Sequence, residues 1–297
     1  MFKQSWASLG QNIHYLGVIC LIFFPLVALT FLANIFGVYW GMNDALSACR
    51  NALAGQDLTA LNHYADSAYA SLNLQSNFET AYHNFSSWTW PQDFFKGLKE
   101  LLASSYPGQA SALTSSIDQA GVKIFWFQLF ATANFYGTCA LAYYIPMARV
   151  WSKQVKRKFS TGFFAFLFQV VVVSLSVAGI KKLGSLWAWG WVFSLPLASF
   201  VGIFLNLTES WFIEGRKNRI PYFQVVNWPN VALGGLFEAV VYFLILGTFG
   251  ALGAWLSPTL AFTAALPLVF YVLICSAVKC DHYVMSLLRE SEREKKY

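Results

Sequence analysis

Long uncharged stretches recur along the chain and are separated by short segments that carry most of the charge. Asp, Glu, Lys and Arg are absent from five of these stretches, residues 12–40, 124–148, 161–180, 184–208 and 259–278. A sixth stretch, 231–256, contains one charged residue, Glu238. A helix of about 20 apolar residues crosses the hydrocarbon core of a bilayer, because a helix satisfies its own backbone hydrogen bonds there. The pattern therefore predicts six transmembrane helices, of which the third is the shortest.

The segment between the first two predicted spans, residues 41–120, has a pattern that is typical of short amphipathic helices. Its first part predicts a short helix over residues 44–54 that Gly55 ends. A second helix should follow, with Asp57 as its cap.

Two further helices are predicted in the same segment. Thr89 and Gln92 fit a capping box, with Pro91 in the first turn of the helix. From Ala110 the helical pattern continues into the second span, which predicts one long helix projecting from the membrane. The fold class that follows is an all-α polytopic membrane protein, with six transmembrane helices and a small helical extracytoplasmic insertion between helices 1 and 2.

The composition also indicates a membrane protein. Of the 297 residues, 57% are hydrophobic and 11% are charged, whereas about 25% of the residues in a soluble globular protein are charged. This balance excludes a water-soluble enzyme, a disordered chain and a coiled coil. The predicted organisation is a cytoplasmic N-terminus with the first span (1–40), an extracytoplasmic segment (41–120), a five-helix bundle (121–280) with cytoplasmic loops at 149–160 and 209–230, and a cytoplasmic tail (281–297).

The basic residues indicate the orientation in the membrane. With six spans, 14 of the 20 lysines and arginines fall on one side, which is the cytoplasmic side by the positive-inside rule. The segment 41–120 carries seven acidic and three basic residues. We therefore expect a bacterial inner-membrane protein with both termini in the cytoplasm and residues 41–120 outside. Its partners should be membrane lipids and other membrane or periplasmic proteins, and not nucleic acid.

Three polar side chains within the predicted spans are candidates for an intramembrane polar site: Glu238, Gln128 and Asn134. Glu238 lies about seven residues, or ~10 Å, from the predicted cytoplasmic end of its span. A carboxylate in lipid is costly, so it should face other helices or water, or be protonated. Its role is a proton or cation relay, a polar lock between helices, or simply a hydrogen-bonded carboxylate near the interface. Interhelical hydrogen bonding explains the two amide side chains.

Small residues at four-residue spacing in the fifth predicted span favour close helix packing. The pairs are Gly235 with Ala239, Gly247 with Ala251, and Gly250 with Ala254. Gly235 lies about one turn before Glu238, so we expect the acid to share the packed face.

Four aromatic residues cluster around the predicted capping box: Trp88, Trp90, Phe94 and Phe95. They form the core of the small extracytoplasmic segment, an interfacial helix on the outer leaflet, or a surface that binds a partner. A segment of about 80 residues buries only a small core. We therefore expect it to rest on the membrane or on another protein.

Sequence motifs for catalysis and cofactor binding are absent. The patterns HExxH, GxSxG, GxGxxG and Walker A do not occur. Cys275, Cys280 and His282 are close in sequence, but their spacing matches no standard metal site. We expect no catalytic, cofactor-binding or metal site.

These observations favour a non-enzymatic subunit of an envelope assembly, such as one for secretion, conjugation or envelope biogenesis. The alternative is a transporter or channel for a small solute or a lipid, which would use Glu238 and the proline-interrupted helices. A third hypothesis, an intramembrane lipid enzyme, needs a cluster of polar residues that the sequence does not reveal.

Overall fold

The computed structural model of the protein describes residues 10–150, 190–216, 218–255 and 257–294, which form helices and turns and no strand. Four of the described helices are long and apolar enough to cross a membrane: Ile13–Ala52, Leu195–Gly215, Trp228–Trp255 and Pro258–Glu290. The predicted third span and most of the loop 149–160 lie outside the described residues. The structure is therefore that of a helical protein suited to a membrane, and six crossings stay a prediction.

Five helices form the first part of the described chain. They are α1 (Ile13–Ala52), α2 (Thr59–Ser71), α3 (Phe78–Ser86), α4 (Thr89–Ser105) and α5 (Pro107–Val150). The predicted continuity of α5 is confirmed, since it is a single helix of 44 residues. It is not among the four helices above because Gln128, Thr132 and Asn134 lower its mean hydropathy.

The second part of the described chain is α6 (Gly190–Ser210), a π-helical turn (Trp211–Gly215), α7 (Tyr222–Val225), α8 (Trp228–Trp255) and α9 (Pro258–Glu294). The three long helices α6, α8 and α9 pack against one another. Their shared core includes Ile203, Leu207, Val231, Cys280 and Val284.

The chain divides into two compact units. The cap unit comprises Phe23–Cys139, and the bundle unit comprises the described residues before and after it. The helices α1 and α5 contribute to both units. The predicted limits at residues 40 and 120 mark where the chain is expected to leave and re-enter the membrane. These membrane boundaries differ in kind from the limits of the compact units, and they stay predictions.

One apolar core runs through all five helices of the cap unit. Its fully buried side chains include Leu46 of α1, Leu61 of α2, Phe85 of α3, Leu98 of α4 and Ile117 of α5, each 0% exposed. The short helices α2, α3 and α4 therefore bury their apolar faces against the two long helices. Val38 and Ile124, which lie just outside the segment 41–120, also belong to this core.

The first helix does not end at the predicted edge of the first span. It continues unbroken to Ala52, so the separate helix predicted over residues 44–54 is wrong. The reason is that Gly41 lies against α5, where a Cβ atom would overlap Ile124, so this glycine serves packing and does not break the helix. Gly55, with a φ of 88°, follows the end of α1 as predicted.

The helix α3 packs beside a part of α1 that belongs to the predicted span 12–40. The Tyr82 ring stacks on Phe31 of α1 with a centroid distance of 4.3 Å. The Tyr39 hydroxyl donates a hydrogen bond to the Leu72 carbonyl oxygen at 3.2 Å. The predicted insertion and the adjoining turns of α1 thus form one folded unit.

Side-chain oxygens accept hydrogen bonds from backbone amides at helix starts in the cap unit. Asp57 Oδ1 accepts hydrogen bonds from the Thr59 amide at 2.9 Å and the Thr59 hydroxyl at 2.6 Å, and these bonds hold the pKa of Asp57 below its ordinary value. The capping box predicted at Thr89 and Gln92 is wrong. Because α4 already includes Thr89 as its first residue, Ser87 Oγ accepts from the Thr89 amide at 3.2 Å instead.

Phe85 tests the packing of α3, since its side chain is fully buried in the cap core. Phe85→Ala should lower the free energy of unfolding in mild detergent by about 3–5 kcal/mol, because it removes the ring contacts and leaves a cavity. His83→Ala, at an exposed position of the same helix, is the control and should change this free energy by less than about 0.5 kcal/mol. Equal effects of the two substitutions would contradict the described position of α3.

Candidate functional site

The bundle unit buries an ion pair between two of its apolar helices. Lys279 of α9 donates to Glu238 of α8, with 3.3 Å between Nζ and Oε1. The two side chains expose 3% and 5% of their surface. Removing two charges from water is costly, and contact between them offsets part of this cost. The pair therefore requires α8 and α9 to lie at one particular register.

Two consecutive glycines in α8 make room for this arrangement. A Cβ atom at Gly234 would lie 3.5 Å from Lys279 Nζ and 3.4 Å from Ile203 Cδ1. A Cβ atom at Gly235 would lie 2.6 Å from Phe200 Cδ1 and 3.0 Å from Phe200 Cα. Gly234 therefore leaves space for the lysine side chain, and Gly235 allows the backbone of α6 to approach.

Neutral polar groups extend the ion pair towards α6. The Ser276 hydroxyl on α9 is hydrogen-bonded to the Glu238 carboxylate. Asn206 Nδ2 on α6 donates to Ser276 Oγ at 3.4 Å. The charge on Glu238 thus has a second partner, and the three long helices of the bundle unit share one polar network.

A second buried carboxylate joins α9 to the end of α6. Ser210 Oγ donates to Asp281 Oδ1 at 2.5 Å, and both residues are buried. Near the start of α8, Asn230 Nδ2 donates to the Tyr283 hydroxyl at 3.0 Å. Polar contacts therefore recur along α9, at Ser276, Lys279, Asp281 and Tyr283.

Gln128 lies in the cap unit, where it is buried. Its Nε2 atom donates to the carbonyl oxygens of Ser87 at 2.7 Å and Phe85 at 3.3 Å. These carbonyl groups lie at the C-terminal end of α3, where the helix provides no further amide donors. Gln128 therefore holds this end of α3 against α5.

Asn134 also lies in the cap unit and joins α5 to α1. Its Nδ2 atom donates to the Leu26 carbonyl oxygen at 2.7 Å and to Thr30 Oγ1 at 2.9 Å. Glu238, by contrast, belongs to the bundle unit. Each of the three predicted polar residues thus bonds within its own unit.

The four predicted aromatic residues lie at different depths in the cap unit. Phe94 and Phe95 are buried in its core, and Trp90 packs partly buried against that core. Trp88 is 39% exposed and its ring meets Phe125 of α5 edge-on. Trp88 is therefore the member of this group that presents its ring at the surface.

The predicted packing residues of α8 also divide into two groups. Gly235 and Ala239 are buried against neighbouring helices. In the described chain the other four are exposed: Gly247, Ala251, Gly250 and Ala254. Gly253, which the four-residue spacing did not select, approaches α9, since its Cβ would lie 3.1 Å from the Pro258 Cα atom.

Tyr64 is a cap residue outside the predicted spans whose acidity is altered by burial. Its hydroxyl donates to the Phe94 carbonyl oxygen at 2.7 Å. Burial, with smaller contributions from the charges of Glu100 and Asp93, raises the pKa of Tyr64 to about 12. The hydroxyl is therefore a hydrogen-bond donor at neutral pH and has a structural role.

Sequence reasoning missed Lys279, Ser276 and Asp281 as site residues. A signal for the lysine was present, because it follows the last span on the same predicted membrane side on which Glu238 lies. Over the described ranges, His, Cys, Asp and Glu side chains form no group of three that could hold a metal ion. No protein-family model, curated protein or solved structure matches the chain.

Gly235→Val tests the close approach of α6 and α8. A valine there should lower the free energy of unfolding in mild detergent by about 1–3 kcal/mol, because its Cβ would overlap Phe200. Gly250→Val is the matched control on the same helix, since a Cβ there meets open space. Equal losses of unfolding free energy in the two variants would contradict the close contact between Gly235 and α6.

Proposed function

We propose that this chain is a non-enzymatic subunit of a bacterial envelope assembly. It is anchored in the inner membrane with both termini in the cytoplasm and residues 41–120 outside. The uneven distribution of lysine and arginine supports this orientation. The four apolar helices support the membrane anchor.

The observation that carries the proposal is the use of the polar side chains within the spans. A transport site needs groups that exchange their partners with a solute or with water. Here Glu238, Gln128 and Asn134 each bond to a neighbouring helix or turn of the same unit. Such contacts stabilise a fixed arrangement of helices, which suits a scaffold.

The cap unit is the proposed contact region for the partner. Its core is formed jointly with α1 and α5, so its surface has a fixed shape. Exposed aromatic rings lie where α4 begins beside α5: those of Trp88, Phe125 and Trp126. Aromatic rings are frequent among the residues that contribute most to protein–protein binding.

Co-purification tests the scaffold function. The tagged full chain, extracted in mild detergent from its own cells, should retain a membrane or periplasmic protein at fixed stoichiometry. Trp88→Ala should weaken this binding by about 2 kcal/mol, the size expected for a central aromatic contact. Trp255→Ala, which changes an exposed tryptophan of the bundle unit, is the control. A monomer without partners, or equal loss in both variants, would contradict the proposal.

A transporter or channel is the second candidate, and one observation favours it. The Tyr242 hydroxyl, one turn along α8 from Glu238, is buried and has no hydrogen-bond partner in the described part of the chain. The Glu238 carboxylate lies within electrostatic range of this tyrosine. A solute or a proton that passes the Glu238 carboxylate would meet the Tyr242 hydroxyl, which is able to form a hydrogen bond.

Reconstitution in liposomes tests this second candidate, with proton flux measured by an enclosed pH-sensitive dye. A transporter should lose most of its flux in Glu238→Gln and show a reduced flux in Tyr242→Phe. The scaffold function predicts no flux above that of empty liposomes in any form. Flux in the native chain that disappears in Glu238→Gln, while the folded fraction is unchanged, would favour the transporter.

A further inference from the structure

One turn of the bundle unit combines two departures from regular helix geometry. The π-helical turn Trp211–Gly215 follows α6 directly. Arg219 has a φ of 59°, the one positive value at a non-glycine residue among those described. Such π-turns are frequent at functional sites, and a left-handed arginine is strained because its Cβ crowds the backbone. We call residues 211–216 and 218–220 the basic turn.

Hydrogen bonds hold the basic turn in this conformation. Trp211 Nε1 donates to the Ile220 carbonyl oxygen at 2.8 Å. The Ile220 amide donates to the Gly215 carbonyl oxygen at 2.9 Å. Asn218 Nδ2 donates to the Glu214 carbonyl oxygen at 2.7 Å. The strained arginine is therefore kept in place by contacts on both sides of it.

The basic turn presents two guanidinium groups to the outside. Arg216 and Arg219 are exposed, and neither forms an ion pair with a carboxylate of the described residues. The Arg216 guanidinium lies 5.3 Å from the centre of the Phe212 ring. Arginine binds phosphate groups through paired hydrogen bonds. The turn thus offers cationic phosphate-binding groups next to an aromatic surface.

Exposed aromatic rings flank the two arginines. Phe212, Phe223 and Trp228 are 61%, 82% and 70% exposed. The basic turn includes the end of one helix that is long and apolar enough to cross a membrane, Leu195–Gly215, and precedes a second, Trp228–Trp255. We therefore infer that the chain emerges from lipid in this region. Aromatic rings at the ends of such helices settle at the depth of the headgroups. Basic residues at that depth attract anionic lipids.

We propose that the basic turn binds the phosphate group of an anionic phospholipid through Arg216 and Arg219, with the flanking aromatic rings beside the acyl chains. Charge complementarity selects this ligand, because the two cationic groups lie at headgroup depth without a described carboxylate partner. The inference does not depend on the scaffold function. A chain without protein partners would still carry this site.

Lipid titration of the delipidated full chain in non-ionic detergent tests the site. The ligands are short-chain phosphatidylglycerol, short-chain phosphatidylcholine and inorganic phosphate, and apparent affinity is taken from the rise in unfolding temperature. Phosphatidylglycerol should bind at least about 10-fold more tightly than phosphatidylcholine, and inorganic phosphate should not stabilise the protein. An equal response to both lipids, or to inorganic phosphate and phosphatidylglycerol, would overturn the proposal.

Three variants locate the site on the chain. Arg216→Gln and Arg219→Gly should each lower the preference for phosphatidylglycerol about five-fold. Arg289→Gln, at an exposed position near the end of α9, should leave the preference unchanged. Glycine adopts a positive φ without strain, so lipid-free Arg219→Gly should unfold at or above the temperature of the native chain. An unchanged preference in both turn variants, or an equal loss in Arg289→Gln, would contradict the assignment.

Discussion

Opposite charges buried among apolar helices are stable only while they remain in contact, and this constraint determines how α8 lies against α9. Removing either Glu238 or Lys279 would leave the other charge buried without its partner. The contact therefore opposes both rotation and sliding of the two helices. Gly234 leaves space for the lysine, and Gly235 brings α6 to the same turn of α8. Three helices are thus held together around a single ion pair.

Neutral side chains also join the helices of the cap unit. Asn134 connects α5 to α1, and Gln128 connects α5 to the turn before α4, each through backbone carbonyl oxygens. The carbonyl groups at the end of α3 need such a donor because the helix provides no further amides for them. The short helices are consequently fixed to the long ones, and the core they share is continuous. A surface built in this way keeps one shape, which a subunit contact requires.

The helical class and the apolar stretches could be predicted from the sequence, because hydropathy over about 20 residues depends on composition and not on neighbours in space. The course of α1 beyond the first span could not, since the close contact of Gly41 with Ile124 depends on α5. The partner of Glu238 was missed because it lies 41 positions further along the chain. The four-residue spacing in α8 selects one face of that helix. Spacing selects a helix face, whereas only the neighbouring helices decide which part of that face they cover.

The coupling energy between Glu238 and Lys279 tests this account most directly. It is obtained from the free energies of unfolding, in mild detergent, of the native chain, Glu238→Gln, Lys279→Met and the double variant. If the pair holds α8 against α9, the double variant loses less stability than the two single losses combined, with a coupling of about 1–3 kcal/mol. Single losses that simply add, giving a coupling near zero, would contradict the central role of the ion pair.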